Sequence, residues 1–235
     1  MHYGYIEAQI AISYGSGFFP AFWLYGTTSG SSHQGEDYQE IDIFEMTPGI
    51  ENDIMPDGVS VYNHNQNLMT STRHYFINDP IKGTNVSTKY IINDYRKYHI
   101  YGLEWTPSKF IYYVDGAIYR IEENKGIYDP KKIILNFAVH RNLSLSYPDF
   151  PGFMDINYLR VYKPRNDYTT TLTMNNYNFS SYDNRIKRKI IITGYNSLRE
   201  GENIYLRAAE GVEINGEFSI PLGAELYIDV NDEYY

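Results

Sequence analysis

The chain has 235 residues, with 20 Lys and Arg against 29 Asp and Glu, a formal charge of -9, and no cysteine. Disulfide frameworks, Cys-ligated zinc and cysteine nucleophiles are therefore excluded, and net acidity argues against a surface built to neutralise nucleic-acid phosphates. No apolar run approaches the twenty or so residues that span a bilayer, so a soluble, monomeric protein with neither nucleic acid nor a membrane span is expected.

The Met1-His2-Tyr3-Gly4 start lacks the basic and apolar regions of an export signal. The 26 tyrosines suit both sheets and sugar-stacking clefts, and sheet packing accounts for most of them. Short alternating runs bounded by Gly, Pro, Asn and Asp recur throughout, with almost no helical periodicity, which indicates an antiparallel all-β protein. Tyr5 to Ile10 reads as a strand with its even positions apolar, and Ala21, Trp23 and Tyr25 share the face opposite Phe22 and Leu24. Phe110 to Val114, Asp115-Gly116 and Ala117 to Ile121 form a hairpin signature, because Asp-Gly supplies the positive φ of a tight turn. Ile133 to Val139 reads as a buried strand, and Ile156 to Tyr162 alternates again. Many short strands without crossover helices indicate a β-sandwich or jelly roll. Composition changes after Lys163. Residues 164–185 are expected to be a linker, and 186–235 a small β-module whose turns stack on one another. Its basic cluster, Arg185 to Lys189, is expected to be a solvated edge.

The chemistry concentrates in Glu40-Ile41-Asp42-Ile43-Phe44-Glu45. On a regular strand Glu40 and Asp42 point to one face and Glu45 to the other. A β-bulge at Ile43-Phe44 would return Glu45 to the face of its companions, and bulges are common beside active sites because they re-aim side chains. Three carboxylates on one patch cannot all ionise cheaply, so at least one pKa should rise, leaving a proton donor beside an ionised nucleophile. Retaining glycoside hydrolysis uses two such carboxyl groups about 5 to 5.5 Å apart. The alternative is that Glu45 faces away and the acids are merely solvated.

The flanking segments are more specific. In order, Tyr3-Gly4-Tyr5-Ile6-Glu7-Ala8, Gly17 to Leu24, the acidic hexapeptide, His99 to Pro107, Tyr113-Val114-Asp115-Gly116, Leu135 to Val139 and Tyr158 to Tyr162 resemble glycoside hydrolase family 16 over residues 1–163. The resemblance implies a concanavalin-like β-jelly-roll with an open cleft and endo-acting, retaining hydrolysis of β-linked polysaccharide outside the cytoplasm. It makes Glu40 the nucleophile, Glu45 the acid/base and Asp42 the helper that orients Glu40 and tunes the pair. The spacing is similar to the bulged branch of laminarinases, agarases, porphyranases and carrageenases. The favoured substrate is a β-1,3-glucan, with algal galactans next.

Four further residues are candidates for substrate contact. Trp23 can stack on a sugar ring or fill the sandwich core. His64 stands where similar enzymes carry a histidine near the acid/base. Trp105 is a weaker candidate, because alternation pairs it with Leu103 in the core. Asn136, an amide in an apolar run, needs either substrate hydroxyls or backbone groups as partners. Glu7 and Glu104 are taken as structural.

Substrate choice is expected to reside in loops 26–38 and 48–60. Two features depart from the family. Strands that precede the Tyr-Gly-Tyr segment in relatives are missing, so a fragment with exposed sheet edges is expected. The calcium site of many relatives lacks its aspartate, with Asn157 in that place, so no metal and no cofactor are expected. The competing class is a noncatalytic glycan-binding protein on the same scaffold. A third reading, transglycosylation, shares the glycosyl-enzyme intermediate.

Overall fold

The computed structural model describes residues 1–13, 18–26, 39–46, 53–54, 61–62, 68–74, 86–125, 127–139, 151–163, 170–183 and 185–230. His64 and nearly all of loops 26–38 and 48–60 lie outside the described residues.

Two five-stranded antiparallel sheets form a jelly-roll-like sandwich. One runs β10 (Ala117–Glu123), β9 (Lys109–Val114), β8 (His99–Trp105), β1 (Gly4–Ile12) and β12 (Met154–Tyr162). The other runs β11 (Lys132–Val139), β2 (Phe18–Tyr25), β3 (Glu40–Met46), β6 (Leu68–His74) and β7 (Val86–Ile91). A two-residue pair, β4 (Asp53–Ile54) with β5 (Val61–Tyr62), stands apart. The alternation read from the sequence divides each strand between core and exterior. Ile6, Ala8 and Ile10 of β1 meet Phe22 and Leu24 of β2, Ile41 and Phe44 of β3, and Tyr101, Leu103 and Trp105 of β8 in one buried cluster. The β9–β10 hairpin has the expected turn, with Asp115 at φ 51° and Gly116 at φ 82°.

Two local expectations need correction. The apolar run Ile133–Val139 is an edge strand rather than a buried one: among the described residues only β2 flanks it, and Ile133 to Ala138 are half-buried while Val139 is exposed. Trp105 is not in a cleft. Its side chain is fully buried in the sheet opposite the acidic strand, edge-on to Tyr3, with its indole N–H donated to the Ile127 carbonyl at 3.3 Å. Leu103 is buried beside it, as alternation required.

The third sheet is parallel, ordered β13 (Thr171–Asn175), β15 (Arg185–Leu198), β16 (Asn203–Ser219) and β17 (Glu225–Val230), with β14 (Asn178–Phe179) also paired to β15. Each residue faces one about twenty positions further along, so successive turns of chain stack. Leu172, Ile190 and Val212 make one apolar column and Met174, Ile192 and Ile214 another. The first two strands of this sheet lie inside the stretch read as linker, because Thr-Leu-Thr-Met-Asn pairs along β15 despite its polar composition. The basic cluster is paired across the stack, Arg188 with Glu210 and Lys189 with Glu213.

The stack packs on the outer face of the β8–β9–β10 sheet. Tyr205 of β16 joins Ile111, Tyr113 and Ile118 in a separate apolar cluster. Beside it the Arg207 guanidinium grips the Glu104 carboxylate in a pair with 4% and 8% of the side chains exposed, and the Tyr113 hydroxyl donates to the same carboxylate at 3.1 Å. Glu104 is thus structural, as its place on a core strand suggested.

Candidate active site

Strand β3 supplies the acids, and its register shows how they come together. Trp23 is opposite Asp42 and Phe22 is opposite Phe44, which leaves Ile43 as the extra residue; against β6 the ladder likewise skips from Asp42–Thr72 to Glu45–Thr70. The bulge lies where the sequence placed it, at Ile43-Phe44. Ile41, Ile43 and Phe44 remain in the core, while Glu40, Asp42 and Glu45 share the outer face with Tyr25, Trp23 and Ala21 of β2 and with His74, Thr72 and Thr70 of β6.

Burial differs along this row and is deepest at its middle member. The Glu40 side chain is 21% exposed, whereas Asp42 and Glu45 are 1% and 8% exposed as residues. Side-chain hydrogen bonds connect Glu45 with Asp42 and Asp42 with Glu40. Burial, followed by the charges of Asp42 and Glu40, holds the Glu45 carboxyl well above the usual carboxylate range. Asp42 is raised well above it by burial and then by the charge of Glu40. Glu40 is raised too, first by burial, but the charge of His74 and the hydrogen bond from Asp42 act in the opposite direction. Burial and like charge therefore favour the protonated form most at Glu45 and Asp42, and least at Glu40, which is more exposed and faces His74.

His74 was missed by the sequence reading. Its Nε2 lies 2.9 Å from Asp42 Oδ2 and 3.5 Å from Glu40 Oε1. Thr72 Oγ1 donates to Glu45 Oε2 at a long 3.5 Å and lies 3.1 Å from Ser87 Oγ. The signal was present as Thr70, Thr72 and His74 at a period of two. It was hidden because the other face of β6 carries Ser71 and Arg73 where an apolar series would identify a strand. These polar residues are buried: Arg120 Nη1 donates to the Ser71 carbonyl at 2.8 Å and to Ser71 Oγ at 2.9 Å, and Arg73 and Arg120 both pair with Glu122. The Arg120 charge in this network opposes the rise at Asp42.

Trp23 lies on the outer face beside Asp42, half-buried, with Tyr25 next to it at a ring separation of 5.3 Å. The Trp23 indole N–H donates to Asn136 Oδ1 at 2.6 Å. Asn136 thus finds its partner in a neighbouring outer-face side chain rather than in the backbone, and it fixes the orientation of the indole. Two of the four predicted contact residues, Trp23 and Asn136, are brought to the acids. Trp105 is not, and His64 is outside the described residues. Among the described residues Glu40, Asp42 and His74 each offer a ligand atom within 4.8 Å of the others, the set best placed to hold a cation. The mutual hydrogen bonds of these groups already account for their proximity. Asn157, in the place of the family's aspartate, donates instead to Gln9 Oε1 at 2.6 Å.

The chain belongs to glycosyl hydrolases family 16, whose pattern matches residues 1–139. It is similar to a beta-glucanase of Rhodothermus marinus, 28% identical over 181 residues that cover 68% of this chain and 57% of that protein. It is also similar to a kappa-carrageenase of Pseudoalteromonas carrageenovora, 29% identical over 182 residues, covering 68% and 44%. Among solved structures it superposes on the laminarinase catalytic domain from Thermotoga maritima MSB8 with a TM-score of 0.55 and 26% identity, over 71% of this chain and 66% of that one. The chain spans about half the length of these two sequence relatives.

Proposed function

We propose that the protein is a retaining, endo-acting glycosidase of β-linked polysaccharide, and that its substrate is a β-1,3-glucan of the laminarin type. The observation that carries this reading is the row of three acids that the bulge turns to one outer face, with a buried Glu45 held well above the usual carboxylate range and a more exposed Glu40 beside His74. Glu40 attacks the anomeric carbon while Glu45 gives its proton to the departing glycosidic oxygen. A covalent glycosyl-enzyme forms, and Glu45, now ionised, takes a proton from the incoming water to release the sugar with net retention. Asp42 is hydrogen-bonded to Glu40 and shares the imidazole of His74, which fixes the nucleophile's orientation. Trp23 and Tyr25 supply flat apolar faces for sugar rings alongside.

The similarity to a beta-glucanase and to a laminarinase domain supports the glucan. The comparable identity to a kappa-carrageenase supports a galactan as second choice. We assign catalysis to residues 1–163 of a monomer and attachment or spacing to the C-terminal stack. A polysaccharide substrate places the work outside the cytoplasm or in the periplasm.

The test is reducing-sugar release from laminarin with wild type and Glu40→Gln, alongside proton NMR of the first products. Release with the β-anomer first, and a loss on the order of 10³-fold or more in the variant, is the expected result. Absence of release from laminarin, agarose and carrageenan by wild type would overturn the reading in favour of a noncatalytic glycan binder. First appearance of the α-anomer would overturn retention.

A further inference from the structure

We infer that the junction between the sandwich and the C-terminal stack is a second carbohydrate-binding site, on the side of the molecule opposite the acids, for a short stretch of neutral glycan. A cleft of about 480 Å³ opens there, between the β8–β9 turn and the end of β10 on one side and strands β16 and β17 on the other. Lys109 and Glu123 are cross-strand partners on the outer face of their sheet, whereas the acid row is on the outer face of the other sheet, so one short oligosaccharide cannot occupy both.

The lining has the mixture that pyranose recognition needs. A sugar presents flat C–H faces, which aromatic rings cover, and a rim of hydroxyls, each both donor and acceptor, which charged side chains satisfy. Tyr128 stands in the cleft with half its surface (51%) exposed. Across from it Tyr227 is held at its hydroxyl by Glu225 at 2.6 Å and lies edge-on to Tyr205, whose own hydroxyl donates to Asp229 at 3.0 Å. The Tyr227 and Tyr205 rings are thus fixed before any ligand arrives, so little ordering of that wall opposes binding. Lys109, Glu123 and Asp229 provide a donor and two sets of acceptors around them. The three carry one net negative charge, which opposes sulfate and phosphate and selects an uncharged chain.

The choice of glycan as ligand rests on the family-16 reading above. The site gives the C-terminal stack a role beyond spacing. By closing one wall of the cleft, it lets the enzyme hold an insoluble polymer at a point away from the cleavage cleft.

The experiment compares two proteins that both carry Glu40→Gln, one with Tyr128→Ala and one without, for co-sedimentation with insoluble β-1,3-glucan. Tyr128→Ala is expected to weaken retention about tenfold, the scale of one lost aromatic contact, and Tyr128→Trp to preserve it. Carrageenan should retain neither protein through this cleft. In the Glu40 background, Tyr128→Ala should leave hydrolysis of a short soluble oligosaccharide unchanged. Retention unaffected by Tyr128→Ala, no retention of either protein, or a parallel loss of soluble hydrolysis would overturn the site. Tyr128-dependent retention in a protein without hydrolysis would uphold the site and refute the glycosidase reading instead.

Discussion

The two halves of this molecule use opposite strand geometries, and each suits a different task. In the antiparallel sandwich a residue meets an unlike residue from a distant part of the chain: Asp42 faces Trp23 on one side and Thr72 on the other, and Glu40 faces Tyr25 and His74. Such juxtapositions can assemble an acid, a nucleophile, an imidazole and an indole on a single surface. In the parallel stack each residue meets its counterpart one turn later, Ile190 on Val212 and Ile192 on Ile214, and repetition builds an apolar column instead of a reactive group. The joint between them is of a third kind, a buried ion pair within an apolar patch.

That joint gives the largest expected change in stability. Arg207→Met leaves the Glu104 carboxylate buried without its guanidinium, and removal of one member of a buried pair costs about 3 to 5 kcal/mol. Denaturant unfolding should show this loss, with the stack melting apart from the sandwich. Adding Glu104→Met should recover most of it, since an apolar pair of similar volume has no charge to desolvate. A single-variant cost below about 1 kcal/mol would show that water reaches the pair.

A glycine in each half sharpens the contrast. A Cβ at Gly216 would lie 2.2 Å from the Gly194 carbonyl oxygen of the preceding turn, a backbone atom held by its own ladder. Gly216→Ala should therefore cost about 1 to 3 kcal/mol by forcing adjacent turns apart. At Gly102 the nearest atom to a Cβ is the Tyr5 hydroxyl at 2.5 Å, the far end of a side chain that can rotate away. Gly102→Ala should cost less, and thermal melts of the two variants compare them directly. The reverse order would mean that the stack yields more easily than the sandwich.

The acid row makes stability depend on pH. Glu45 is held protonated by burial and by its acidic neighbours, so its folded pKa is above the unfolded value near 4.5. The folded state then retains a proton that the unfolded chain has lost, and stability falls as pH rises from about 4.5 through the raised folded value. Glu45→Gln keeps a neutral group there and should be more stable than wild type above that window. Below it, where both states are protonated, the advantage should vanish. An advantage independent of pH would place its origin in packing rather than in the proton.

How much of this was legible in the sequence depended on what each segment had to signal. The bulge could be read because three acids at Glu40, Asp42 and Glu45 violate strand parity unless one residue is extra. The turn at Asp115-Gly116 could be read because few other pairs accept two positive φ angles. His74 was lost because β6 buries Ser71 and Arg73 against Arg120 and Glu122, so neither of its faces is apolar. Strand β13 was lost because its stability comes from pairing with β15, which a local polar composition does not reveal. Trp105 was an ambiguous indole, and only its neighbours Tyr3 and Phe110 show that it belongs to the core.

The smallest effect is expected where the stack carries its most visible charges. Arg188 Nη1 reaches both carboxylate oxygens of Glu210, at 2.9 and 3.1 Å, whereas Arg207 offers Glu104 two nitrogens, and 42% and 52% of the Arg188 and Glu210 side chains are exposed. Water and salt screen this pair, so Arg188→Ala should cost at most about 1 kcal/mol, and less in high salt. Measured beside Arg207→Met by the same denaturant titration, it sets an exposed Arg–Glu contact against a buried one, both between segments distant in sequence. Equal costs would mean that the apolar patch around Arg207 contributes nothing to its pair.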